Sequence, residues 1–208
     1  MVIAIDGPAG AGKSTVARAS AERLGFTYLD TGAMYRCVAL AAAERGAPAA
    51  EVAAAIEIEL GDRVVLDGRD VTDEIRTPEV SDGASRVAGD PAVRRALVAK
   101  QQALLEEGDW VAEGRDIALV VAPDAEVKVF LTASEQERAR RRAEQLGGAD
   151  VQAVLAEQRD RDERDATADR SITEPAPDAV PVDTTGLSLE EVVEQIVMLA
   201  VEAREIAG

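Results

Sequence analysis

An α/β fold, with a parallel sheet flanked by helices, is what this sequence predicts, and three observations carry the prediction. The chain opens on a short apolar run that ends in a glycine-rich stretch. Apolar runs of strand length then alternate with segments of helical periodicity along the whole chain. Its 208 residues, 47% hydrophobic and 30% charged, suit a globular core rather than a disordered tail.

Residues 2–5 are continuously apolar and rich in β-branched side chains, the pattern of a strand buried on both faces, and Asp6-Gly7 ends it. Over residues 13–24, Val16, Ala17, Ala19, Ala21 and Leu24 recur at helical spacing, and Gly25 supplies a C-terminal cap. Residues 26–30 read as a second strand, and Thr31 as the cap of a helix running through Tyr35 and Val38 to about Arg45. Gly46 and Pro48 make a turn, after which the alanine-rich stretch predicts a helix ending near Leu60. Residues 63–66, the turn dipeptide Asp67-Gly68 and residues 69–71 spell a small hairpin.

Pro78 and Pro91 suit first helical turns and predict helices over 79–87 and 92–107, the second packing Val93, Leu97, Leu104 and Leu105. Residues 110–112 and 127–131 are two further central strands. Ser134 with Glu137 forms a capping box for a helix through Leu146, Gly147-Gly148 breaks it, and another helix begins at Val151. Residues 179–182 give the last strand. Ser188 with Glu191 then caps a final amphipathic helix carrying Val192, Val193, Ile196 and Leu199.

Composition removes several chemistries. Histidine and asparagine are absent and Cys37 is the only cysteine, which excludes a disulfide within the chain, a His or multi-Cys zinc site, and Ser-His-Asp or Cys-His pairs. Cys37 reads as a small buried hydrophobe. Forty acidic residues against 23 basic ones leave a net charge of −17, which repels nucleic acids and acidic membrane surfaces. Only 2% of residues are aromatic, too few for base-stacking platforms. The first apolar run has no basic flank and is too short for a signal peptide or a membrane span, so a cytoplasmic, monomeric protein acting on small molecules is expected.

The stretch Gly7-Pro8-Ala9-Gly10-Ala11-Gly12-Lys13-Ser14, followed by Thr15, fits the phosphate-binding P-loop in its letters and in its context between strand and helix. Glycines let the backbone curl so that successive N–H groups face one point, at which the following helix also aims its positive end. Lys13 would reach the β- and γ-phosphates of ATP, and the Ser14 hydroxyl would ligate Mg²⁺ bridging them. The fold class sharpens to a P-loop NTPase core.

A regulatory GTPase would read guanine with an Asn-Lys-x-Asp stretch, which a chain without asparagine cannot carry. A small-molecule kinase fits the length better than a motor or transport ATPase. Twenty of the 23 basic residues are arginines, whose forks suit phosphate oxygens. Arg36 and Arg115 each follow a strand end; Arg138, Arg140, Arg141 and Arg142 crowd one helix, and Arg159, Arg161, Arg164 and Arg170 follow the Gly147-Gly148 break. The two clusters equally suit a solvated face of i to i+4 ion pairs. An acceptor that is itself a phosphate needs no general base, which agrees with the missing histidine.

The chain closely resembles the bacterial cytidylate kinases, P-loop nucleoside monophosphate kinases that transfer the γ-phosphoryl of ATP to CMP and dCMP. The resemblance runs from Ile5-Asp6-Gly7-Pro8 through Thr15, over Leu29-Asp30-Thr31-Gly32-Ala33-Met34-Tyr35-Arg36, Ile75-Arg76-Thr77-Pro78-Glu79-Val80, Glu113-Gly114-Arg115-Asp116 and Arg161-Asp162-Glu163-Arg164-Asp165. Pro177-Asp178-Ala179 and Val182-Asp183-Thr184-Thr185 complete it, so it spans essentially the whole chain. It implies one kinase domain over 1–208 with a small monophosphate-binding insertion at about 47–87 and a lid at about 138–170. It also implies that Thr31, Tyr35 and Arg36 line the monophosphate site, with Arg36 and Arg115 on the phosphate. Ser85, Arg94 and Asp116 would read the cytosine, Asp165 and Arg161 would hold the sugar, and the lid arginines Arg138, Arg142 and Arg164 would reach the triphosphate as the lid closes.

One departure stands out: Asp165-Ala166-Thr167-Ala168 ends in alanine where the family usually has arginine, so either Arg170 substitutes from a neighbouring turn or the contact is absent. Acceptor binding is expected to weaken if nothing replaces that contact. Taken without the resemblance, Tyr35 reads as core packing, Ser85 as a surface helix residue and Asp116 as an N-cap. UMP, shikimate and gluconate remain alternative acceptors for such a phosphate loop, and an ATP-binding regulatory module without turnover is the reading outside the enzymes.

Overall fold

β1 (Val2–Asp6) lies at the centre of a five-stranded sheet because it is apolar on both faces, with Ile3, Ala4 and Ile5 fully buried. The computed structural model describes residues 1–167 and 175–207, with 161, 164–167 and 207 by backbone only. It divides into two units, Met1–Tyr28 with Gly108–Gly208, and Leu29–Glu107.

In the first unit α1 (Lys13–Leu24) follows β1 and ends on Gly25, whose left-handed conformation (φ 70°) lets its N–H reach the carbonyls of Ala21 and Glu22. β2 (Thr27–Asp30) begins in this unit and crosses into the second. The label order of the remaining elements follows the chain through the second unit: α2 (Thr31–Arg45), α3 (Ala49–Ala55), β3 (Ile58–Leu60), β4 (Val64–Leu66), β5 (Arg69–Asp70), α4 (Pro78–Val87) and α5 (Pro91–Leu105). The first unit resumes with β6 (Trp110–Glu113), a single π-helical turn (Ile117–Val121), β7 (Val127–Thr132), α6 (Glu135–Gln145), α7 (Val151–Thr167), β8 (Val180–Asp183) and α8 (Leu189–Ala207).

The strand order is β2-β6-β1-β7-β8. β1 runs parallel to β6, with Ile5 opposite Glu113, and to β7, with Asp6 opposite Phe130. β8 runs parallel to β7 at the sheet edge, where Pro181, with no N–H to give, is tolerated. Val16, Ala17 and Ala21 of α1 share a core with Val192, Ile196 and Ala200 of α8 and with Ile3, Ile5, Val111, Val129 and Leu131 of the sheet. Ser188 and Glu191 form the expected reciprocal capping box of α8, by bonds of 2.8 and 3.3 Å. At α6 the box is one-sided. Ser134 accepts the Glu137 N–H at 3.2 Å, while the Glu137 carboxylate turns to Arg140 and Arg141.

The second unit corrects three expectations. The helix after Pro48 ends at Ala55, and Ile58–Leu60 is a strand paired antiparallel to β4. The reason is the period-two pattern from Ile56 to Leu60, in which Ile56 is buried and Glu57 and Glu59 are exposed. β4 and β5 make the expected hairpin on Asp67 (φ 47°) and Gly68 (φ 81°), the left-handed pair that a two-residue turn requires. Asp30, not Thr31, caps α2, its carboxylate accepting the Ala33 N–H at 2.8 Å. In α5, Val93, Leu97 and Gln101 form the buried i, i+4 stripe, while Leu104 is exposed and Leu105 half-buried. Among the described residues no helix is long and apolar enough to cross a membrane.

Leu97→Ala should therefore cost about 2–5 kcal/mol in urea unfolding, and Leu104→Ala no more than about 0.5 kcal/mol. Equal losses would put Leu104 in the core.

Candidate active site

The loop between β1 and α1 curls through Gly7 (φ 146°), Gly10 (φ 77°) and Gly12 (φ 93°). At Gly7 no side chain fits, since a Cβ would stand 2.1 Å from the Leu131 carbonyl oxygen of β7. Gly12 occupies the N-cap of α1 without a side-chain cap, and Ser14 and Thr15 in the first turn are exposed. The positive end of α1 thus carries no capping side chain.

The carbonyl oxygens of the loop are bound elsewhere, largely by cations. Gly7 O accepts from Arg115 Nη1 at 2.7 Å, Pro8 O from Lys13 Nζ at 2.9 Å, and Ala9 O from Arg138 Nη1 at 2.9 Å. Ala11 O accepts from the Thr184 hydroxyl at 3.3 Å, with Arg141 Nη1 at 3.5 Å. Arg138 is buried, its Nη1 also donating to Asp162 Oδ2 of α7 at 2.7 Å. Arg138 Nε, Asp162 Oδ1 and Gln158 Oε1 are buried with no hydrogen-bond partner among the described residues. Arg141 donates to Thr184 through both Nη atoms and to Glu137 through Nε. Its partner Glu137 is held down to about 2, first by the hydrogen bond from Arg140.

At the end of β6 and just beyond it stand Glu113, Arg115 and Asp116, of which Arg115 is bonded to the loop. Glu113 is buried and accepts the Tyr28 hydroxyl at 2.9 Å. Asp116 is half-buried and stands at the N-cap position of the π-helical turn, yet its side chain makes no cap bond there. Asp6 supplies that cap instead, its two oxygens accepting the Ile117 and Ala118 N–H groups at 2.8 Å each. Burial pushes the Asp6 carboxyl up to about 6, against the pull of those two N–H groups.

Of the remaining expected acceptor residues, Thr31, Tyr35, Arg36, Ser85 and Arg94 belong to the second unit. Arg36, on α2, pairs with Asp30 at 2.7 Å, a fold-back that Gly32 permits because a Cβ there would lie 3.1 Å from Arg36 Nη1. Thr31 is buried and Tyr35 half-buried in the same helix, and neighbouring Cys37 is a buried thiol that desolvation raises to about 12. Ser85 on α4 and Arg94 on α5 are half-buried. α2 and α4 approach closely at Gly83, where a Cβ would meet the Ala39 methyl at 3.3 Å.

The structure therefore gathers Lys13, Ser14, Arg115 and Arg138 around the loop, while Arg142, also expected there, is half-exposed and bonds Gln145 at 3.5 Å. Arg161, Arg164 and Asp165 lie on α7 with side chains outside the described residues, as is Arg170 altogether. Sequence reasoning missed Asp6, Asp162 and Thr184, and did not single out Arg141 from its cluster. The one signal for Arg141 was its spacing: it stands four residues after Glu137 and three after Arg138.

Residues 3–202 match the family model described as "Cytidylate kinase". The chain is 49% identical to the cytidylate kinase of Solibacter usitatus, covering 96% of this chain and 91% of that protein. It is 48% identical to the cytidylate kinase of Pseudomonas aeruginosa, covering 94% and 93%. Among solved structures, a gluconokinase from Sinorhizobium meliloti superposes with a TM-score of 0.52 at 19% identity, covering 99% of this chain and 95% of that one, a likeness of fold. The chain belongs to the cytidylate kinase family.

Gly7→Ala should prevent the loop from closing on β7, and its measured ATP affinity should fall by at least about tenfold. Unchanged affinity would mean that the loop tolerates a side chain at its first turn.

Proposed function

We propose that this chain, as a cytidylate kinase family member, transfers the γ-phosphoryl group of ATP to CMP or dCMP, giving ADP with CDP or dCDP, in pyrimidine nucleotide metabolism. The observation that carries the reading is a glycine-built loop at the start of α1 whose carbonyl oxygens are bound by four cations, in a chain matched to that family over residues 3–202.

ATP is held by residues 7–15, with its phosphates on the loop N–H groups and on the positive end of α1. The Lys13 ammonium, now on the Pro8 carbonyl, needs only a side-chain rotation to meet the transferring group and neutralise its charge. Arg115 and Arg138 add positive charge from either side of the loop, and Arg142 and Arg164 join them when the lid closes. The acceptor's phosphate is bound by Arg36 and Arg115 with Thr31 and Tyr35 beside it. Ser85, Arg94 and Asp116 read the cytosine edge, Asp165 and Arg161 hold the sugar hydroxyls, and Arg170 is the candidate to replace the phosphate contact missing at Ala168. The attacking oxygen is already anionic, so alignment and charge neutralisation supply most of the rate.

Among the described residues no group of three acidic or other metal-binding side chains could hold a metal on its own. The exposed Ser14 hydroxyl, a hard oxygen at the start of α1, would hold a Mg²⁺ ion carried in by ATP, which would neutralise charge on the transferring phosphate. The net charge of −17 supports small-molecule substrates over nucleic acid or acidic membrane, and the protein is read as a cytoplasmic monomer.

ADP release from Mg·ATP should be rapid with CMP and dCMP and slow with UMP, AMP, shikimate and gluconate; preference for another acceptor would overturn the cytosine contacts. Lys13→Ala should lower turnover by about 10²-fold or more with unchanged thermal unfolding. Near-normal turnover in that variant would remove Lys13 from the chemistry.

A further inference from the structure

Three successive residues at the exit of β1 are bonded to one short segment beyond β6. The Ile5 carbonyl accepts the Gly114 N–H at 3.0 Å, the Asp6 carboxylate takes the Ile117 and Ala118 N–H groups at 2.8 Å each, and the Gly7 carbonyl takes Arg115 Nη1 at 2.7 Å. Between these ties lie Arg115 and Asp116. Only the middle tie is made by a side chain through both of its oxygens. That side chain is 5% exposed, so water cannot stand in for it. Removing it would leave two buried N–H groups, the first of the π-helical turn, without a partner.

We propose that Asp6 is a positioning residue for acceptor recognition, fixing Arg115 and Asp116 relative to the phosphate loop through the Ile117 and Ala118 N–H groups. The proposal rests on the kinase reading and adds to it a residue that does not itself touch the acceptor. Asparagine has the shape of aspartate but only one accepting oxygen, so in Asp6→Asn an amide N–H faces a backbone N–H and one tie must open. The Arg115-Asp116 segment then loses its fixed register, while the glycine-built loop keeps its own.

In Asp6→Asn, kcat/KM for CMP should fall by at least about tenfold, with the KM for ATP changed by no more than about twofold. In an Arg115→Ala/Asp116→Ala background the same substitution should cost no more than about a further twofold, because the groups it positions are gone. An equal loss in both backgrounds, or a rise in the KM for ATP matching the loss for CMP, would overturn the proposal and assign Asp6 to general stability or to Lys13. Amide hydrogen exchange of the unaltered protein tests the geometry even if the variant does not fold: the Ile117 and Ala118 amides should be strongly protected, and exchange at the rate of an open loop would overturn it. Turnover of CMP by the unaltered protein separates the two readings, since its absence with exchange protection intact rejects the substrate and not the tie; if no acceptor is turned over, both fall.

Discussion

A backbone that turns its N–H groups toward a phosphate must turn its carbonyl oxygens the other way, and each of those oxygens needs a donor. Much of the first unit follows from that requirement. Arg115 after β6, Lys13 at the start of α1, Arg138 and Arg141 on α6 and Thr184 after β8 each supply a donor to one carbonyl of the loop. These groups come from elements far apart in sequence, which the parallel sheet brings to one end of its strands. In a chain with a net charge of −17, this local concentration of cations is what lets the loop attract a polyanion.

The donors are themselves held. Asp162 fixes Arg138 from α7, and Glu137 fixes Arg141 within α6. Asp6 joins the exit of β1 to the segment that carries Arg115. Keeping the Asp6 charge in a buried position has a cost: its folded value of about 6 lies above its ordinary value of 3.8. A raised carboxylate value means the folded chain binds that proton more tightly than the unfolded chain does. The contribution of Asp6 is therefore least favourable above pH 6 and improves as the pH falls toward 4.

Features set by neighbours in sequence were legible. The glycine pattern of the loop, the Gly25 cap, the Asp67-Gly68 turn and the Ser188 box each depend on a few adjacent residues. Features decided by packing were not. Alanine richness favoured a helix up to Leu60, but alternate burial from Ile56 onward made a strand. Leu104 has the composition of a core residue and the wrong angle on α5. Arg141 differs from Arg142 locally only in standing four residues after Glu137, and it is the position of Thr184 and the loop that makes it a donor there. Asp6 and its amides are separated by 111 and 112 residues, and no spacing rule reaches that far.

The orientation of the loop is best tested by backbone amide shifts on titration with Mg·ATP. The amide protons of residues 10–15 should move most, because they face the phosphates in the bound state. Binding of ATP with those amides unmoved, and the largest changes elsewhere, would contradict the assignment of the loop as the triphosphate site.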